Sequence, residues 1–394
     1  MSCARASRRL LPVRMSPGIA TVELRIVALP LIEPFVASHG TVTTRTAVIV
    51  RVIGDDFEGW GECAALPEPT YTSEYVDGAF AVLRDELVPG LLRAASEAPI
   101  EAKDVRRLFA FYANHPMARA AIELALLDAE CAAGGRSLAR RFTSVDPGPA
   151  PTVPAGVAIG LMDTAGATAS VAAARVAEGY RRIKMKIEPG RDIEFIRAVR
   201  SMIGADVELM VDANGAYTSE DHALLTQLDE FELSCVEQPL SADGPDDLER
   251  HAALAALINT PICLDESLTS IERTERAIEL GACSVVCVKA PRYGSWLDAG
   301  TVLDHCQEHG VDAWVGGMLD TGIGRRANIA LAAHPGATRV GDISATARFF
   351  TDDICAPVTL NAGRIDVPVA IGFASSIDRA ALERLTITST TIST

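Results

Sequence analysis

The sequence predicts an α/β protein in which a barrel of alternating strands and helices follows a separate α+β unit. Two patterns carry this expectation. Beyond about residue 150, short apolar strands alternate with helix-length amphipathic segments at a pitch of roughly 25 residues, the mark of consecutive parallel βα units. Before it, three β-branched runs precede three segments of helical periodicity. A missing motif decides against an open doubly wound sheet, because neither G-x-G-x-x-G nor a P-loop follows any of the strands.

In the first unit, strands are expected near 19–28, 45–53 and 58–63, with Gly54-Asp55-Asp56 as punctuation. Helical spacing then covers 73–93, 101–112 and 116–133, the last ending at Gly134-Gly135. Asp146-Pro147-Gly148-Pro149-Ala150-Pro151 reads as the linker. Barrel strands are expected near 153–159, 181–187, 207–212, 233–237, 261–265, 284–289, 312–315 and 338–341. The expected organisation is a leader over 1–18, a cap over 19–148, a barrel over 149–356, a return to the cap over 357–380 and a frayed Thr/Ser-rich tail over 381–394.

Composition narrows the function. Lys+Arg 36 against Asp+Glu 52 gives a net charge of −16, which repels phosphate backbones and anionic lipid, so nucleic-acid and membrane partners are not expected. The nine cysteines are odd in number and form no C-x-x-C pair, which argues against a zinc ribbon or disulfide framework and for a reducing cytoplasm. No apolar run reaches the length of a transmembrane helix. The basic start around Arg8-Arg9 lacks the apolar stretch of a secretory signal, and Met15 is an alternative start.

Strand parity locates the chemistry. Successive side chains alternate between the outer helices and the barrel interior. With Ile183, Met185 and Ile187 outward, Lys184 and Lys186 point inward together. The same reading turns Asp212, Glu237, Asp265 and Lys289 inward, spaced 26, 25, 28 and 24 residues from Lys186 onward. All fall at the carboxyl-terminal rim, where barrel enzymes carry their sites. Three carboxylates drawn together in a low dielectric need a cation, and oxygen ligands select a hard divalent ion, Mg²⁺ first and Mn²⁺ second. Cys235, Cys263 and Cys287 each lie two residues before a rim position, so parity places them in the packing layer beneath. His305 and His309 read as an outer helix face.

Lys184-Met185-Lys186, Val211-Asp212-Ala213-Asn214, Val236-Glu237-Gln238-Pro239, Cys263-Leu264-Asp265-Glu266-Ser267, Lys289 and Gly316-Gly317-Met318-Leu319-Asp320-Thr321-Gly322 resemble the enolase superfamily. The resemblance is to the o-succinylbenzoate synthase and N-succinylamino acid racemase group of the muconate-lactonising subgroup. It runs from about Ile19 to Gly372 and includes Gly59-Trp60-Gly61-Glu62-Cys63 and Gly341-Asp342. It implies a (β/α)₇β barrel under an α+β cap, a homo-oligomer and a small carboxylate substrate.

It further implies Asp212, Glu237 and Asp265 as ligands of Mg²⁺, with Lys186 as the base, its pKa lowered by Lys184, in proton abstraction that leaves an enediolate; a Lys or His base with Mg²⁺ is the known pairing of this superfamily. Lys289 then serves as electrostatic stabiliser in a dehydration to o-succinylbenzoate in menaquinone synthesis, or as second acid/base in racemising N-succinylamino acids. Arg292 beside Lys289 favours a low-pKa lysine. His39, Asn214, Arg292, Gly316, Gly317, Met318 and Asp320 are the implied substrate contacts. The run Cys287-Val288-Lys289-Ala290-Pro291-Arg292 departs from the group's Asn-Ile-Lys-Pro-Gly-Arg, Asp320 replaces a common Glu, and His39 replaces a Phe. A non-catalytic metal-binding scaffold is the alternative of another class.

Overall fold

A computed structural model describes residues 18–37, 40–143 and 148–394 of the chain; residues 1–17 of the expected leader, His39, and Asp146 and Pro147 of the expected linker lie outside the described residues. The first unit begins with two long antiparallel strands, β1 (Thr21–Ala37) and β2 (Gly40–Ile53), then β3 (Glu58–Cys63). β1 and β2 outrun the expected ends at 28 and 45. Their ladder breaks between Pro30 and Phe35, where Leu31 bridges to Phe350 and Ile32 N–H donates to the Phe349 carbonyl at 2.9 Å. Pairing with the barrel thus supplies the backbone partners that the proline-punctuated segment lacks on its own.

Helices follow: α1 (Val76–Val82) passes through one π-helical turn, Leu83–Leu87, into α2 (Val88–Glu97). The expected helix over 101–112 is broken into short turns around α3 (Val105–Leu108). α4 (Pro116–Gly134) starts with proline in its first turn, ends on left-handed Gly135, and is buried along most of its length. β3 lies almost in contact with it: a Cβ on Gly59 or Gly61 would stand 2.0 Å from the Ala125 or Ala121 carbonyl oxygen, so only glycine fits. α5 (Leu138–Phe142) ends the unit.

The barrel follows as β4 (Thr152–Pro154), β5 (Gly156–Ile159), α6 (Ala165–Ala177), β6 (Arg182–Lys186), α7 (Ile193–Ile203), β7 (Glu208–Asp212), α8 (His222–Leu225), β8 (Val236–Glu237), α9 (Asp247–Ala255), β9 (Ile262–Leu264), α10 (Ile271–Glu279), β10 (Val285–Val288), α11 (Ala290–Tyr293), α12 (Trp296–His309), β11 (Asp312–Val315) and α13 (Gly322–Ala332). β5 to β11 form one seven-stranded parallel sheet in sequential order. The strand expected near 338–341 forms no ladder. The ring closes there through single contacts: Arg339 N–H to the Ala313 carbonyl, Asp342 N–H to Val315, and a bridge between Gly341 and Ala155. The architecture is a TIM-like barrel beneath a capping unit.

After the barrel, β12 (Arg364–Asp366) pairs antiparallel with β4. The expected frayed tail is a correction: α14 (Arg379–Leu385) leads into β13 (Thr386–Ser393), which pairs with β1 as the edge of the cap sheet, in the order β13-β1-β2-β3. A Thr/Ile/Ser run that looks low in complexity is also β-branched, and as a polar edge strand it meets a ready partner. Among the described residues no helix is long and apolar enough to cross a membrane.

Candidate active site

Parity along the strands is realised in the side chains. Ile183, Met185, Leu209, Val211, Val236, Ile262 and Leu264 join the main apolar core, whereas Met210, Cys235, Cys263, Cys287, Val285 and Trp314 form a separate cluster in the barrel interior. The cysteines are therefore packing groups beneath the rim. Burial pushes the thiols of Cys263 and Cys287 far above their ordinary range, keeping them neutral.

Above that layer stand the charges. Lys184 Nζ is 2.9 Å from Asp212 Oδ2, 2.6 Å from Glu237 Oε2 and 3.0 Å from Asp342 Oδ2. Lys186 Nζ donates to Asp212 Oδ2 at 2.7 Å and to Asn214 Oδ1 at 2.5 Å. Four strands around the ring, Lys289 Nζ donates to Asp265 Oδ2 at 2.7 Å and to the Tyr71 hydroxyl at 2.9 Å. Arg292 pairs with the other oxygen of Asp265 and also reaches Tyr71.

Burial opposes charge on every member, and the neighbours decide the outcome. For Asp212, Lys184 and Lys186 outweigh burial and hold the pKa at about 2. For Asp265, Arg292 and Lys289 likewise outweigh burial and hold the carboxyl well below its usual range. Glu237 goes the other way: burial and then the Asp212 charge push it well above the usual carboxylate range, and Lys184 offsets only part of this. Burial disfavours the Lys184 ammonium, but Asp212, Asp342 and Glu237 together raise its pKa. Lys289 is a correction to the expected low-pKa lysine. Burial and Arg292 do lower it, yet Asp265 and Tyr71 leave it well above the ordinary lysine value.

The donor set fits a hard cation. Both oxygens of Glu237 are buried and accept no hydrogen bond, although Oε2 touches the Lys184 ammonium. Ligand atoms of Glu237, Asp265 and Cys287 lie within 4.8 Å of one another, a grouping in which the neutral thiol is the poorest donor for Mg²⁺. Asp212 lies outside that grouping; its Oδ2 is shared by two ammonium groups, and Oδ1 accepts the Asn214 N–H at 2.9 Å.

Two strand ends are held by left-handed backbone at non-glycine residues, Asn214 at φ 44° and Gln238 at φ 39°. Asn214 tolerates this conformation; Gln238 is fixed in it by its own side chain, whose Oε1 accepts from Asp265 N–H at 3.0 Å and Ser267 N–H at 3.2 Å. Strain at Gln238 is thereby tied to the placement of Asp265.

Lys184, Lys186, Asn214, Lys289, Gly317 and Met318 line one cleft. Gly316 lies behind Lys289, where a Cβ would come within 2.7 Å of that side chain and of Cys287 Sγ. Arg292 faces a neighbouring depression with Tyr71. Asp320 turns away into α13, accepting from Met318 N–H and Asn328 Nδ2, both at 3.1 Å. Sequence reasoning assigned no role to Asp342, Tyr71 or Glu266. Asp342 closes the ring at the same rim, 53 residues after Lys289, so the spacing rule extended by two more units finds it. Glu266, whose Oε1 accepts from Asn214 Nδ2 at 2.9 Å, simply follows Asp265. Tyr71 comes from a cap loop that carries no periodic signal.

Family models match both parts of the chain: "Enolase C-terminal domain-like" over residues 167–381 and "Mandelate racemase / muconate lactonizing enzyme, N-terminal domain" over 19–140. An N-succinylamino acid racemase of Amycolatopsis is 46% identical, over 90% of this chain and 94% of that protein. An o-succinylbenzoate synthase of Listeria innocua is 36% identical, over 91% and 93%. A solved enolase-superfamily structure from Listeria innocua superposes with a TM-score of 0.87 at 34% identity, covering 95% of this chain and 99% of its own.

Proposed function

This chain belongs to the enolase superfamily and is an enzyme of it, and from that premise we propose that it removes the proton α to a substrate carboxylate, giving an enediolate, and then expels water to form o-succinylbenzoate. The observation that carries this is the pair of lysines, Lys186 and Lys289, that line one cleft and are each ion-paired to a rim carboxylate, Asp212 and Asp265. A divalent cation, Mg²⁺ or Mn²⁺, held by Glu237, Asp265 and Asp212 would supply Lewis acidity to the substrate carboxylate.

The remaining steps belong to the chain itself. Lys186 takes the α-proton on its Nζ once deprotonated and, in the dehydration, gives it to the departing hydroxyl, which leaves as water; its bonds to Asp212 Oδ2 and Asn214 Oδ1 hold that nitrogen in the cleft lining. The Lys184 ammonium offsets carboxylate charge at the centre of the ring. Lys289, kept protonated by Asp265, faces the developing negative charge from the far side. Leu66, Phe35 and Phe349 line the same cleft and restrict water near the reacting carbon.

A second reading, racemisation of N-succinylamino acids, rests on the same Lys289. In this reading its Nζ–H groups return a proton on the face opposite Lys186, and the 46% identical relative is named for that reaction. Purified protein with Mg²⁺ in D₂O separates the two. Dehydration of the cyclohexadiene carboxylate without α-hydrogen exchange in N-succinylamino acids supports the dehydratase alone, exchange with inversion supports the racemase, and neither would sink both.

A further inference from the structure

Arg348 ends a 3₁₀ turn, Thr346–Arg348, that follows the barrel's closing contact. It lines the same cleft as Lys186 and Lys289. One guanidinium nitrogen donates to the Ala158 carbonyl at 2.6 Å, and the group lies 4.7 Å from the centre of the Phe349 ring. Its Nε and the other terminal nitrogen, NH1, are buried and have no partner. Among the described residues no carboxylate comes within ion-pair distance of it, while the other arginine that lines this cleft, Arg325, is matched by Asp320 at 3.5 Å. Burial and the Arg175 charge push the Arg348 pKa down to about 10, so it is still a cation at neutral pH.

An unpaired buried guanidinium with two orphaned donors is costly, and a planar fork of this kind matches a carboxylate. Phe35, Val42, Ala158 and Phe349 supply apolar surface to the same cleft. The rim lysines and proposed cation sites handle the carboxylate at the reacting carbon, so they leave Arg348 free for a different group. We propose that Arg348 is the seat for a second, distal carboxylate of the substrate, and that it selects succinyl-bearing dicarboxylates over monocarboxylates of the same length. This deepens the proposed function and rests on it, because a succinyl substrate carries such a terminal carboxylate.

The test begins with the unmodified protein in Mg²⁺. Binding of o-succinylbenzoate is compared by calorimetry with that of o-butyrylbenzoate, in which a methyl group replaces the terminal carboxylate. A succinyl advantage of at least about tenfold is expected, the range of a charge-assisted hydrogen bond. The advantage should shrink to threefold or less in Arg348→Met, and Arg348→Lys, which keeps charge but loses the fork, should fall between. Equal binding by the unmodified protein, or an advantage that survives in both variants, overturns the assignment of Arg348 and leaves the enediolate reading intact. If neither compound binds and no α-carboxylate is turned over, the proposed function fails and this inference falls with it.

Discussion

Buried carboxylates occur in two places in this molecule, and they are neutralised in different currencies. At the barrel rim, Asp212, Glu237, Asp265 and Asp342 face Lys184, Lys186, Lys289, Arg182 and Arg292, charge against charge. Along the seam between cap and barrel, carboxylates face mainly peptide N–H groups. Glu123 of α4 accepts from Ser295 Oγ at 2.8 Å, and from the N–H groups of Trp296 and Leu297, at the start of α12. Glu62 of β3 accepts from Thr321 and from Gly324 N–H at the start of α13. Asp128 joins the Trp60 and Phe373 N–H groups. Helix amino termini offer only partial charge. The rim therefore holds ions in balance for chemistry, whereas the seam uses carboxylates as clamps whose own ionisation is disfavoured.

The largest effects should come from the rim. Lys186→Ala is expected to lower kcat for every α-carboxylate substrate by about 10³-fold, within the range of a lost general base. The fold should survive, as read by circular dichroism; unchanged turnover would remove Lys186 as the base. Glu237→Gln should abolish turnover as well, together with the thermal stabilisation that added Mg²⁺ supplies, about 2.7 kcal/mol at a hundredfold excess over Kd. Burial and Asp212 disfavour ionised Glu237, so the metal-free variant should melt higher than the metal-free parent. A variant still stabilised by Mg²⁺ would refute Glu237 as a ligand.

A smaller and pH-dependent effect is expected at the seam. Burial pushes Glu123 from the ordinary 4.5 to about 7 and Asp128 from 3.8 to about 7. A carboxyl whose folded pKa is raised binds its proton more tightly in the folded state, so it stabilises the protein below its unfolded pKa. That contribution disappears as pH rises from about 4.5 to 7, at most about 3 kcal/mol for Glu123. Rim Asp212, held at about 2, has the opposite sign: its contribution is present above 3.8 and is lost as acid takes the pH toward 2. Glu123→Gln has nothing to ionise. Subtracting its melting temperatures from those of the parent between pH 5 and 7.5 should leave a falling difference; a flat one would show that Glu123 is ionised throughout and the seam is no different from the rim.

The same comparison explains what could be read from the chain. Rim residues sit on strands whose period of two fixes their direction, so Lys184, Lys186, Asp212, Glu237, Asp265 and Lys289 follow from parity and spacing alone. Glu123 and Asp128 sit within a helix buried nearly all round, where periodicity names no polar face and the partners, Ser295 to Leu297 for Glu123 and Trp60 and Phe373 for Asp128, are distant in sequence. Tyr71 and Arg348 lie in turns, reached only once the fold brings them to the cleft. β13 was hidden for another reason, since a Thr/Ser-rich segment becomes a strand only when β1 offers an unpaired edge.

The smallest effect should come from the ion pairs on the seam's surface. Arg106 of α3 reaches Asp298 of α12 at 3.2 Å and Glu272 of α10 at 3.3 Å, so it spans cap and barrel as Glu123 does. Its side chain is 53% exposed, however, and water competes for both contacts. Exposed pairs of this kind contribute from nothing to about 1 kcal/mol and are screened by salt. Arg106→Ala is accordingly expected to shift the melting temperature by less than about 1 °C, and the shift should vanish in 0.5 M NaCl, about the concentration at which the Debye length falls to 4 Å. A loss of several degrees that persists in salt would mean that exposed charge holds the cap on the barrel, and the buried clamps at α12 and α13 would lose the role assigned to them.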